Sequence, residues 1–352
     1  MRAQRVAAMS LPPPPPPTPP LNPSYTYVAS GWDGVASTNE SQFVKEALVS
    51  GVRVDGRLPL ESRELRVTLD PLAPGRVECA LGATRVLAAA TAELRAPFPD
   101  RPSEGVVRLS VELGPVADPS FQAGPPSEAA VEIGRIIEKG WREARAVDAE
   151  GLCVAAGKKV WHVRVDVRAL DNDGNLMDCC GAAALCALLT LRRNEVSVSG
   201  DDVTVHPLDE REPVPVALHH LPLPATLAFV DEGTMMVVDP TALEESVSDG
   251  NLTVTLNAHE EVCNVHKVGR PPLAPEHLPR GMAQGVGIVK ARLESIRVAL
   301  DGWNAVRQRM ARAGVLYTPD EGRRRAALEA QDARMQQDDA RRIQALGDEL
   351  MA

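Results

Sequence analysis

The sequence predicts an α+β protein built in two halves, each a set of strands followed by a helix. Three observations carry that prediction. Short runs rich in Val, Leu, Ile and Thr stop at Gly, Pro or Asp, as antiparallel strands do. After each set come segments whose apolar residues recur three and four apart, the period of an amphipathic helix. Aromatic residues make up only 3% of the chain, so aliphatic side chains must fill its cores. Strands followed by helices, twice over, is the order of α+β units.

The elements are expected in the following order. Residues 1–36 form a Pro-rich extension containing "LPPPPPPTPPLNP". Proline lacks a backbone donor and fixes φ, so the extension is polyproline II or disordered. It reads as a spacer, with docking into an aromatic-lined groove as the other use. Arg2 and Arg5 precede the first acid, Asp33. Such a start can mark an organellar transit peptide, but the proline run opposes an amphipathic helix there.

The first folded unit is expected over 37–200. "STNESQFVKEALVSG" predicts a helix with Asn39 as N-cap and Gln42 three residues on, a capping-box spacing. Phe43, Val44, Ala47 and Leu48 would share its apolar face, and Gly51 would end it. "LRVTLD", "GRVECALG", "TRVLAAATAEL" and "VVRLSVELG" predict an antiparallel sheet. "SEAAVEIGRIIEKGWREARAVD" predicts a helix with Val131, Ile133, Ile136, Ile137 and Trp141 inward. "KVWHVRVDVRAL" is the next strand, and "MDCCGAAALCALLTLRR" is a helix of small residues suited to close packing on a sheet. The second unit, 201–312, should hold strands at "VPVALHH", "ATLAFV", "TMMVVDP", "LTVTLNA" and "HEEVCNVHKVG". A helix from about Gly287 would follow, with Val289, Leu293, Ile296, Leu300, Trp303 and Met310 as its stripe. Residues 313–352 predict a polar helical tail, solvated or partner-binding.

Composition narrows the function. The formal net charge is -10. That excludes a uniformly basic nucleic-acid coat and leaves room for a local basic groove, because exposed charges act over about 10 Å. No apolar run approaches the ~18 residues of a membrane span, so no membrane partner is expected. The six cysteines, Cys79, Cys153, Cys179, Cys180, Cys186 and Cys263, form no CxxC pair and read as reduced core thiols. His219 and His220 are neighbours that would point to opposite faces of a strand. No metal and no cofactor are expected.

The densest chemistry lies in "VRVDVRALDNDGN". Arg164, Asp166 and Arg168 would share one strand face, which places Asp166 between two guanidiniums. Neighbouring positive charge favours the ionised carboxylate, which suits an ion pair better than a general acid. Asp171 and Asp173 fall in a composition that any turn would choose. From the residues alone, structure ranks above catalysis here.

"GVRVDGR", "LGATRVLAAATAEL", "EIGRIIEKG", "VRVDVRALDNDGN" and the helix after it occur in an order that resembles the RNase PH superfamily. "FQAGPPSEAAVEIGR" is similar to its branch of exosome ring subunits without activity of their own. The resemblance covers roughly residues 37–300 and excludes both termini. It implies a ribosomal-S5-domain-2-like unit followed by the smaller RNase PH C-terminal unit. It also implies a nuclear, nucleolar and cytoplasmic subunit of a six-membered ring. The partners would be other RNase PH-like ring subunits, RNA-binding cap subunits, an associated hydrolytic nuclease and single-stranded RNA.

Active members of the superfamily cleave RNA by phosphorolysis from the 3′ end and hold phosphate with a loop and an Arg before the "EI" helix. The matching residues are Ser127, Glu128, Ala129 and Ala130, with Ala129 at the Arg position. Phosphate needs donors and positive charge, so this loop is expected to be degenerate. The acidic site is expected to be degenerate too: Asp166 and Asp173 fit the family pattern, but Arg168 stands where another acid is usual. No catalytic residue is therefore expected, with an active phosphate-dependent exoribonuclease as the rival and a free-standing RNA-binding adaptor as a third reading. RNA contact is expected at Arg135, Lys139 and Arg142, which follow i, i+4, i+7 on one helix face, so that cations in a row follow successive phosphates. Arg85 is a further candidate; a solvated basic face is the plain alternative.

Overall fold

A computed structural model describes residues 37–199, 202–207, 210–270 and 275–312. The Pro-rich extension and the polar tail expected at the two ends lie outside the described residues. The first helix, α1 (Thr38–Val49), is capped two residues earlier than Asn39 predicts. Ser37 Oγ accepts from the Glu40 N–H, and Glu40 reaches back to the Ser37 N–H. The same serine-to-glutamate spacing occurs two residues before the Asn39–Gln42 pair, and its glutamate closes the box with a charge. Val44 and Leu48 are buried as expected, whereas Phe43 is 64% exposed.

The first sheet has the order β1-β2-β3-β6-β4, from β1 (Leu65–Leu69), β2 (Arg76–Leu81), β3 (Thr84–Arg95), β4 (Val106–Glu112) and β6 (Lys159–Asp171), with β5 (Cys153–Ala155) on the end of β6. It is not wholly antiparallel: β4 runs parallel to β6. A parallel pair needs a crossover, and α2 (Glu128–Glu143) supplies it. In β6, Val163, Val165, Val167 and Ala169 are buried in alternation with Arg164, Asp166 and Arg168. On α2, Ile133, Ile136, Ile137 and Trp141 face inward, but Val131 is exposed.

At the centre lies α3 (Leu176–Thr190), buried along almost its whole length. It packs on β2, β3 and β6 and, on its other side, on the second sheet. Gly181 makes this approach possible, because a Cβ there would stand 2.5 Å from Pro224 Cγ. Cys179, Cys180 and Cys186 are core residues of this helix, and Cys79 faces them from β2.

Between α3 and the second sheet come β7 (Arg192–Arg193), β8 (Val196–Ser199), β9 (Asp202–Val205) and β10 (Val214–Pro215). The strand expected from "VPVALHH" shrinks to β10, which pairs with β7, and to a bridge from Leu218 to Val147. His219 and His220 follow that bridge outside any strand. The second sheet, ordered β12-β11-β13-β14, comprises β11 (Leu223–Val230), β12 (Met235–Val238), β13 (Gly250–Leu256) and β14 (Val262–Gly269). The short α4 (Ala242–Val247), missed in the sequence, joins β12 to β13. Every residue of β11 is buried. Pro224 and Thr226 face α3, while Ala225 and Leu227 meet α5 (His277–Arg312) at Gly285 and Gly281.

Helix α5 starts ten residues before Gly287. Its far end returns to the first unit. Trp303 Nε1 donates to the Asp70 carbonyl (3.0 Å), and its ring lies between Arg192 and Arg307, at 5.0 and 4.8 Å. Among the described residues no helix is long and apolar enough to cross a membrane.

Candidate functional site

The loop before α2 and the turn after β6 are tied together. Asn172 donates through its side chain to Asp118 (3.0 Å) and through its backbone to the Ala117 carbonyl (3.2 Å). The fold thus joins the loop leading to Ser127–Ala130 to the turn that carries Asp171 and Asp173.

The start of α2 satisfies itself. Ser127 is the N-cap, and its Oγ accepts from the Ala130 N–H (3.2 Å). The Ser127 carbonyl accepts from the Val131 N–H (3.0 Å). Glu128 puts a carboxylate in the first helical turn, where the dipole favours negative charge. Ala129 is exposed and Ala130 buried, and neither supplies a donor side chain. A helix start is otherwise an anion site; here its own residues take that role.

The acidic positions are neutralised singly. Arg164 Nε donates to Asp166 Oδ1 (2.8 Å). Arg168 does not flank Asp166 as a second partner, because it pairs across the parallel strands with Glu112 (2.8 Å). Asp173 meets Arg63, at 3.3 Å to its carboxylate and 2.9 Å to its carbonyl. Burial raises the Asp173 pKa, with Arg63 and Arg57 opposing. Arg85 is held between Glu78 (2.6 Å) and Asp171 (3.6 Å), so much of its charge is answered within the sheet.

The basic row on α2 stands apart from these pairs. Arg135, Lys139 and Arg142 are all exposed on the face away from Ile133, Ile137 and Trp141. Lys139 is 3.8 Å from Glu143. Arg135 and Arg142 form no ion pair among the described residues. At 1.5 Å per residue, the row spans about 10 Å.

A larger ionic cluster, absent from the sequence reading, underlies the turn. Arg53, in "GVRVDGR", is buried. Its Nε and Nη2 donate to the two Glu244 oxygens (2.8 and 2.6 Å), and further bonds reach the Val238 and Asp239 carbonyls. Arg63 forks onto Asp239 (2.9 and 2.9 Å). Burial works against ionisation of Asp239, but Arg63, Arg292 and Asn175 outweigh it and hold the carboxyl well below the usual carboxylate range. Arg292 of α5 pairs with Asp178 of α3 (2.7 Å). Glu245 receives the Asn175 N–H (2.9 Å) without a cation in direct contact, and burial raises its pKa to about 7. The signals were present: Asp178 is a lone charge in an apolar helix, and Arg292 falls on the stripe between Val289 and Ile296.

Residues 61–194 match domain 1 of the 3′ exoribonuclease family, RNase PH, and residues 220–287 match its domain 2. The chain belongs to the RNase PH family. It is 44% identical over 274 residues to a protein of Arabidopsis thaliana named exosome complex component RRP45A, covering 77% of this chain and 89% of that one. A second Arabidopsis thaliana protein, exosome complex component RRP45B, is 46% identical over 75% of this chain, which spans only 58% of its length. The Homo sapiens protein named exosome complex component RRP45 is 37% identical over 79% of this chain and 63% of its own. Among solved structures, a chain of the Archaeoglobus fulgidus exosome with RNA bound to the active site superposes with a TM-score of 0.64 at 29% identity. That match covers 73% of this chain and 97% of that one. The RNase PH fold, with its two units and long final helix, is therefore the frame on which the Ser127–Ala130 helix start and the basic row sit.

Proposed function

We propose that this chain is a catalytically silent RNase PH-type subunit of an exosome ring. It serves 3′-to-5′ RNA processing and degradation by building the ring and lining part of the RNA path. The observation that carries this reading is the start of α2. Ser127 closes the helix end, Glu128 occupies its first turn, and Ala129 brings no cation to hold an attacking phosphate. The names borne by its relatives support the assembly. Its partners are then other RNase PH-like ring subunits, RNA-binding cap subunits and a separate hydrolytic nuclease, in nucleus, nucleolus and cytoplasm. Phe43, Val52, Val54 and Leu58 are each more than half exposed, apolar surface of the kind that marks a partner contact.

Arg135, Lys139 and Arg142 supply the RNA contact in this reading. Each phosphate neutralised by such a cation releases counterions, so the contact weakens with salt. The test is nuclease protection of single-stranded RNA by the assembled ring. Arg135→Glu combined with Lys139→Glu reduces protection while the ring still assembles. Unchanged protection by the double variant removes these residues from the path.

A further inference from the structure

The chain after β7 alternates valine with polar residues in "VSVS" and "VTVH". The hairpin of β8 and β9 therefore turns Val196, Val198, Val203 and Val205 to one side and Ser197, Thr204 and His206 to the other. The His206 N–H donates to the Glu195 carbonyl (3.0 Å), which makes Ser197 and His206 diagonal neighbours on the polar side. Asn194 Nδ2 donates to the His206 carbonyl (3.1 Å) and fixes the backbone there. The N–H groups of Glu210 and Arg211 both donate to the Pro207 carbonyl (3.1 and 3.3 Å). This turn brings their side chains back to the hairpin.

Ser197 Oγ lies 2.7 Å from His206 Nε2. Arg211 Nη1 donates to the same oxygen (3.3 Å). A guanidinium accepts no hydrogen bond, so the serine proton is left for His206. Nε2 is then the acceptor, and the neutral ring carries its proton on Nδ1. Nδ1 faces Glu210 Oε2 at 3.6 Å, close enough for the carboxylate to favour the ring once a second proton arrives. The His206 side chain is 16% exposed and that of Glu210 66%, so the base is shielded while its partner stays wet. Glu195 is the other charge at the site, and it pairs with Arg211 (3.1 Å). Hydroxyl, base and carboxylate stand in the order of an activated serine. Arg211 adds a cation beside the attacking oxygen, within reach of the negative charge that develops on an attacked carbonyl. None of these residues belongs to the start of α2, the acidic strand or the basic row.

We propose that Ser197 is a nucleophile toward small activated carboxylic esters, with His206 as general base and Glu210 as its positioning residue. Ser197 Oγ attacks the carbonyl carbon as its proton passes to His206 Nε2. The carbonyl π pair moves onto oxygen, beside Arg211. Its return breaks the ester C–O bond and leaves an acyl-serine, and His206 gives its proton to the departing oxygen. Water then attacks the acyl carbon and loses a proton to His206. The acyl–Oγ bond breaks, the carboxylic acid leaves, and that proton returns to Ser197. Ser199, Asp202 and Thr204 are exposed polar neighbours, which suits a short acyl group and not a long apolar one. Silence toward RNA phosphorolysis concerns other residues and does not bear on this chemistry.

The full chain is incubated with a fluorophosphonate probe, and the modified residue is located by peptide mass spectrometry. Hydrolysis of p-nitrophenyl acetate is followed alongside. The adduct is expected on Ser197, lost in Ser197→Ala and unchanged in Ser199→Ala. His206→Ala should slow both reactions about 100-fold, the lower end of what a positioned base contributes. Wild-type labelling should rise with pH as His206 loses its second proton. Glu210→Gln removes the charge that favours the protonated ring, while Arg211 and Glu195 stay in place. The midpoint of the rise should therefore move to lower pH, whereas a merely structural role would leave it unmoved. Glu210 is mostly exposed, so this variant keeps the test decisive if His206→Ala fails to fold. Absence of an adduct at Ser197, equal labelling of Ser199, indifference to His206→Ala, or a midpoint that stays in place would overturn the proposal.

Discussion

Glu245 is a carboxyl placed where its charge is unwelcome. It sits near Asp178 and Asp239, takes one backbone N–H from Asn175, and has Arg63 only at longer range. Its pKa is raised from 4.5 to about 7 in the fold. A carboxyl with a raised folded pKa favours the folded state when protonated, and that contribution fades as pH climbs through the folded value. Glu245→Gln keeps the acceptor and removes the titration. Its melting temperature should match that of the wild type near pH 4 and exceed it increasingly from pH 5 to pH 8. A constant difference across that range would show that Glu245 does not titrate there. Most of this cluster escaped the sequence reading, because pairs such as Arg53 with Glu244 lie 191 residues apart and nothing local links them. The basic row on α2 was legible because helical spacing alone sets its geometry. The partner of Arg168 was not, since it depends on which strand lies beside β6.

At the scale of elements, α3 shows why small residues sit where they do. It is sandwiched between two sheets, and Gly181 lies against Pro224 with no room for a methyl group. Gly181→Ala forces a shift of a rigid ring in a filled core, a change that costs about 1–3 kcal/mol. Urea unfolding should show the loss, and a variant as stable as the wild type would mean that the helix can move away from β11. Strand and helix positions were largely legible, because periods of two and near four are local. The direction of β4 was not, since a parallel pairing is fixed by how α2 crosses over. The early start of α5 was hidden too: Gly281 and Gly285 are residues of low helix propensity, yet they seat the helix on Leu227, Leu252, Leu256 and Ala225.

For the molecule as a whole, the ionic cluster and α5 bind the two RNase PH units into one body. Arg53 and Arg63, from the segment before β1, reach Glu244 and Asp239 in the second unit. Trp303, at the far end of α5, returns to Asp70 in the first. The scaffold is thus held by many contacts, whereas in the proposed reading the start of α2, capped by Ser127 with Glu128 in its first turn, holds no nucleophile. Incubating the purified chain with single-stranded RNA and inorganic phosphate tests that contrast most directly. The account predicts no release of nucleoside diphosphates at any phosphate concentration; their phosphate-dependent release from the 3′ end would contradict it.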